Sequence, residues 1–241
     1  MLRVFLLLFF NIALLSACQE PRKEKIPISN ITIQIGEQGH KFVKRYPGEI
    51  KTERQPAGLD FYKIGWPASK KGEVTIENGK HSFALEDVRS VVGTQSNEFP
   101  TEGISEWNIT VGVTGPNGIY HDDARKTMFA ILQKFLQAGW KVSIPLSVPR
   151  LRGKEMTNYL LKEGRYTTLD AEYTPTLEEW MQIDSSGIWK LYADRMFLKV
   201  TFMRESTLTD LTKPSSYIFS FDLTSETETF RSYVEGEDRA R

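Results

Sequence analysis

Cysteine is almost missing from this 241-residue chain: Cys18 is the only one, which excludes an intrachain disulfide, a CxxC redox pair and a cysteine-rich zinc site. Histidine is scarce as well, and His40, His81 and His121 stand too far apart in sequence to form a ligand motif on their own. Charge of one sign is not in excess, with 31 basic and 31 acidic residues, so nothing in the composition points to nucleic acid. No apolar run reaches the ~20 residues that span a bilayer as a helix. GxSxG, HExxH and Walker-type glycine loops are absent. Gly36-Glu37-Gln38-Gly39-His40-Lys41 approximates a phosphate loop, but its spacing is wrong and no regular helical pattern follows it. No catalytic residue, metal or cofactor is therefore expected, and stability must come from packing.

What is present begins at the first residues. Arg3 supplies a small positive region, Val4 to Leu15 an apolar segment interrupted by Asn11, and Ser16-Ala17 two small residues ahead of Cys18. This layout is that of an export signal, and its end resembles the lipobox of bacterial lipoproteins. The resemblance implies lipidation of Cys18, cleavage before it, and an acylated new amino terminus. Gln19 in the following position implies an outer-membrane location facing the periplasm. Removing the first 17 of 241 residues leaves 224, enough for a real hydrophobic core. Residues 18–30 read as a flexible tether, with Pro21, Pro27, Arg22, Lys23 and Lys25 among them. Two subdomains are expected beyond it, a β-rich 31–100 and an α+β 101–241, meeting near residues 98–104.

Alternation of apolar and polar residues predicts strands at 31–35, 59–66, 73–76, 81–85 and 88–93, with Asn78-Gly79 as a tight hairpin turn; residues 40–56 resist assignment. In the second half, 107–113 reads as a strand. Met128, Ile131, Leu132, Phe135 and Leu136 recur at helical spacing, predicting a helix over 123–138 that starts at an Asp122 or Asp123 cap and stops at Gly139. A short strand at 142–146, a helix at 154–161, and a helix at 177–181 behind a Thr176/Glu179 capping box follow. Strands are expected at 188–192, 196–202 and 217–223, the first two joined near Asp194. The fold class is α+β: mixed and antiparallel sheets, a hairpin-rich N-terminal half and two main helices in the C-terminal half. The five tryptophans lie in apolar patterns and are expected in the core.

Two polar, turn-rich loops at helix ends are the candidate contact surfaces. One carries Asn117, Tyr120, His121 and Asp122, the other Arg150 and Arg152. In the first, His121-Asp122-Asp123 also suits a helix start, where acidic residues meet the positive end of the dipole.

Several stretches carry a further likeness: Gly103-Ile104-Ser105-Glu106-Trp107, Thr110-Val111-Gly112-Val113, His121-Asp122-Asp123-Ala124-Arg125, Ala138-Gly139-Trp140-Lys141, Pro175 to Met181, Phe221-Asp222-Leu223 and Phe230 to Val234. Together they resemble lipoproteins found with type VI secretion clusters that act as immunity factors against phospholipase-type lipase effectors. The resemblance implies a non-catalytic protein that binds a cognate secreted lipase at the membrane, and it transfers no contact residue. Two alternatives stand beside it: an envelope assembly or scaffold lipoprotein, and a periplasmic enzyme whose dispersed site gathers around His121 and Asp122.

Overall fold

A computed structural model describes residues 28–163, 168–183, 187–231 and 233–234. The signal segment, Cys18 and the tether up to residue 27 lie outside the described residues. The end of the expected tether does not hang free: the Ile28 carbonyl accepts from the Trp66 indole at 2.7 Å, and Ser29 accepts from the Glu73 amide.

The architecture is α+β and is organised by one sheet. β1 (Asn30–Ile33) pairs in parallel with β4 (Gly72–Ile76), and β4 pairs antiparallel with β5 (Phe83–Ser96). From β5 the sheet continues antiparallel through β6 (Ile104–Val111), β13 (Tyr217–Ser225), β11 (Met196–Arg204) and β10 (Ile188–Ala193). β8 (Lys141–Val142) and β9 (Thr168–Leu169) flank β10. The β2 (Lys51–Gln55) and β3 (Leu59–Gly65) hairpin joins the far half of β5. β7 (Ile119–Tyr120) and β12 (Pro214–Ser215) form a separate two-residue ladder.

Several expectations are corrected here. Residues 83–96 form one strand rather than two, bent where Asp87 takes a φ of +58° and the register shifts. The turn at Asn78-Gly79 is not a two-residue hairpin. Gly79–His81 forms a 3₁₀ turn, because Asn78 has a φ of −152° and its amide donates to the Ser82 hydroxyl. Most of α1 (Gly39–Arg45) and all of β2 fall in the unassigned stretch, so a short helix does begin within Gly36–Lys41; only Phe42 and Val43 mark its apolar face. Residues 98–104 connect β5 to β6, which pair along most of their lengths, so residues on both sides of this connection contribute to a single sheet. The strand expected at 142–146 ends after Val142, because β9 pairs with Ile188 and Trp189, the next stretch of the β10 edge.

α2 (His121–Gln137) buries Met128, Phe129, Leu132 and Phe135 and stops where Gly139 takes a φ of +87°. α4 (Leu177–Gln182) carries the capping box: Thr176 Oγ1 accepts from the Glu179 amide, and Glu179 Oε2 accepts from the Thr176 amide at 2.8 Å. α3 (Gly153–Glu163) is held at its start by the Asp170 carboxylate, which accepts from the Gly153 amide. The Asp194-Arg195 turn between β10 and β11 has both residues at positive φ, the geometry of a two-residue hairpin.

The core lies between the helices and one face of the sheet. All five tryptophans are buried there. Phe42 of α1 meets Trp107 edge-on at 4.9 Å, and Phe129 of α2 meets Trp189 at 5.6 Å. Among the described residues no helix is long and apolar enough to cross a membrane.

Candidate functional site: a groove on the open sheet face

The pleat that sends Trp107, Phe221, Val200 and Trp189 into the core sends their neighbours to the opposite face. There the register places Asn108, Asp222, Lys199 and Lys190 side by side across β6, β13, β11 and β10. The next row holds Glu106, Thr224, Phe197 and Tyr192. Lys199 Nζ lies 2.8 Å from Asp222, which also accepts from the Asn108 side-chain Nδ2. Lys190 is directly opposite Lys199, and among the described residues no carboxylate pairs with it. Burial, reinforced by the Lys199 charge, pushes the Lys190 ammonium below its usual pKa. Burial and the charges of Glu228 and Asp222 push Glu106 up.

Two walls rise beside these rows. The first is the loop from Ser143 to Ser147, which leaves the sheet after β8 while the Ser143 amide still donates to the Lys190 carbonyl. The second is α5 (Glu226–Arg231) with Tyr233 beyond it. α5 is fixed by Arg231, which pairs with Glu102 and Glu228 and sits 3.7 Å from the Phe99 ring centroid, and by Glu226, which accepts from Tyr192 and Arg195. The groove between the walls has a volume of about 700 Å³. Phe197 and Phe230 meet edge-on within it at 5.7 Å. On the rim, Leu146 is 94% exposed and Tyr233 77% exposed, with Phe230 half-exposed between them and the floor.

The residues singled out from sequence lie elsewhere. Asn117 and Tyr120 are exposed, Tyr120 within the short ladder against Pro214. His121 is fully buried, so it is not available to a partner: its Nδ1 lies 2.6 Å from the Tyr217 hydroxyl, which also accepts from the Trp180 indole. The expected aspartate cap is also corrected. α2 begins at His121 with Tyr120 at its N-cap and no side-chain cap, which places Asp122 and Asp123 inside the first turn. Asp122 instead pairs with Arg125 and Lys126, each at 2.6 Å, and both hold its carboxyl below the usual range. His121 and Asp122 thus engage different partners and do not converge. Arg150 and Arg152 are exposed; Arg152 lines a second cavity of about 430 Å³ with Trp140, Asp170 and Glu172, and Ile144 borders both cavities. The Arg150/Arg152 loop is therefore the chain-continuation of the groove wall, whereas the Asn117–Asp122 loop lines neither cavity. Among the described residues no group of three His, Cys, Asp or Glu side chains gathers to hold a metal.

The groove residues were missed because they pair residues distant in sequence. The one local signal is Pro145, which interrupts the apolar alternation of Val142, Ile144 and Leu146.

The buried imidazole has a measurable consequence. Burial, with the nearby Arg204 charge, lowers its pKa below the ordinary 6.5. The neutral form is favoured in the fold, so its contribution is complete above pH 6.5 and declines as the pH falls toward the lowered folded value, where the unfolded chain takes up the proton first. Urea unfolding between pH 7.5 and 5 is expected to show this loss, with a shallower pH slope in His121→Gln. An unchanged slope would assign it to another group.

Comparison of the chain with known protein families, characterised proteins and solved structures gives no match.

Proposed function

We propose that this chain is an outer-membrane lipoprotein facing the periplasm that binds and inhibits a cognate type VI-secreted lipase of phospholipase type, as an immunity protein. The observation that carries the binding reading is the cluster of exposed Leu146, Phe230 and Tyr233 beside the groove. Large apolar side chains gathered on a surface mark an interaction site, and aromatic residues in such clusters often dominate the binding energy. The identity of the partner rests on the sequence resemblance. Lipidation at Cys18 would confine the inhibitor to the surface that the lipase attacks and raise its effective concentration there. Inhibition is then steric: a body seated over the lipase cleft keeps lipid out.

Titration calorimetry of the mature chain with the lipase encoded beside it is the test. One-to-one binding at nanomolar Kd is expected. The pair Leu146→Asp and Tyr233→Ser should weaken it at least ~10-fold, about 1.4 kcal/mol, without shifting the thermal midpoint, because both side chains are exposed. Substitution of Asn117 and Tyr120 should leave it unchanged if the groove rim is the contact. Absence of binding to the neighbouring gene product would remove the proposal.

A further inference from the structure

The floor of the groove is electrostatically incomplete. Lys190 and Lys199 stand directly opposite one another, an arrangement of like charges that costs stability on adjacent strands. The single carboxylate in their row, Asp222, is already engaged by Lys199 and by Asn108. Lys190 is half-buried in the groove floor, where an ammonium without a partner is costly. Around it the lining is mostly apolar, with Ile144, Pro145 and Leu146 from the loop, Phe197 from the floor and Phe230 from α5, and Ser143, Thr224 and Thr229 among them. The volume, about 700 Å³, lies within the range of small-ligand sites.

We propose that the groove binds a single-chain anionic amphiphile, its acid group set between Lys190 and Lys199 and its hydrocarbon tail lying between Phe197, Phe230 and Leu146. An acid group there offsets the lysine–lysine repulsion and supplies the counter-charge that the fold withholds from Lys190. The tail covers the aromatic wall left open by α5. A simple inorganic anion has no use for the apolar walls, and a neutral lipid has none for the lysines. The shared chemistry is one acid head on one tail, whether a carboxylate, as in a free fatty acid, or a phosphate, as in a lysophosphatidate. The inference does not rest on the lipase partner, since lipid alone reads it.

The test is displacement of a fluorescent fatty acid from the mature chain, below micelle concentrations, by oleate, oleoyl lysophosphatidate and oleyl alcohol. Saturable binding of at least one of the two acids is expected, with the alcohol at least ~10-fold weaker; the preferred acid identifies the source. Lys190→Met should lose at least ~10-fold in affinity, and Lys190→Arg should retain most of it, with unchanged circular dichroism in both. Equal affinity for the alcohol, or equal binding by Lys190→Met, would overturn the proposal. So would an absence of binding by either acid; loss of lipase binding in Lys190→Glu would then assign the lysines to an acidic protein segment instead.

Discussion

Replacing Gly103 by alanine is expected to destabilise the fold by about 2–6 kcal/mol, from backbone strain of ~1–3 and overpacking of ~1–3. Gly103 has a φ of 66° and a ψ of −148°, a region that residues with a Cβ scarcely enter. The added carbon would lie 2.5 Å from the Gly36 carbonyl oxygen and 2.7 Å from that of Glu37, both backbone atoms that cannot turn aside. The same crossing carries two hydrogen bonds, from the Gly36 amide to the Ile104 carbonyl and from the Ile104 amide to the Glu37 carbonyl, each 2.9 Å. Shifting either strand to relieve the clash therefore breaks the link between the loop after β1 and the start of β6. Urea unfolding of Gly103→Ala measures the loss; a change within ~1 kcal/mol, the size of an ordinary surface substitution, would show that the crossing yields.

Trp180→Ala is expected to cost a similar ~3–5 kcal/mol, by a different route. The indole is fully buried, stacked on Phe202 at 4.1 Å and bordered by Phe129, Trp189 and Tyr217. Its removal opens a cavity between α4 and the sheet and takes away one donor to the Tyr217 hydroxyl, leaving His121 as its remaining partner. Trp180→Phe should recover a large part of the loss, since it refills most of the volume and forfeits only that hydrogen bond. Denaturant midpoints for the two variants, with near-ultraviolet circular dichroism to follow the aromatic packing, separate volume from polarity. Equal loss in both would make the hydrogen bond the dominant contribution.

The elements legible in the sequence are those whose cause is local. The spacing of Met128, Leu132 and Phe135 implies α2, Gly139 implies its end, and Thr176 with Glu179 implies the capping box, each from residues within one or two turns. The strands from 188 onward follow from simple alternation. The failures have non-local causes. Nothing near Asp87 announces that two short alternating runs are one bent strand, because the bulge is set by pairing with β4 and β6. His121 reads as a polar helix start until Tyr217, 96 residues away, is known to receive it. The groove depends on the register that sets Lys190 against Lys199 and Lys199 against Asp222, and no single stretch contains it.

The attachment of Ile28 to Trp66 fixes where the chain enters the body: at the β1 edge, while the groove sits at β10 on the other side of the sheet. Six strand intervals separate the two along β1-β4-β5-β6-β13-β11-β10, about 29 Å at the usual ~4.8 Å spacing. With Cys18 as the proposed lipid anchor, ten residues lead to Ile28 and reach at most ~35 Å. Under that proposal the anchor leads to one edge of the sheet and the groove lies toward the opposite edge. The sum of tether reach and sheet span sets a ceiling of roughly 65 Å on the height above the bilayer at which a target can be met, and each tether residue removed lowers that ceiling by up to about 3.5 Å.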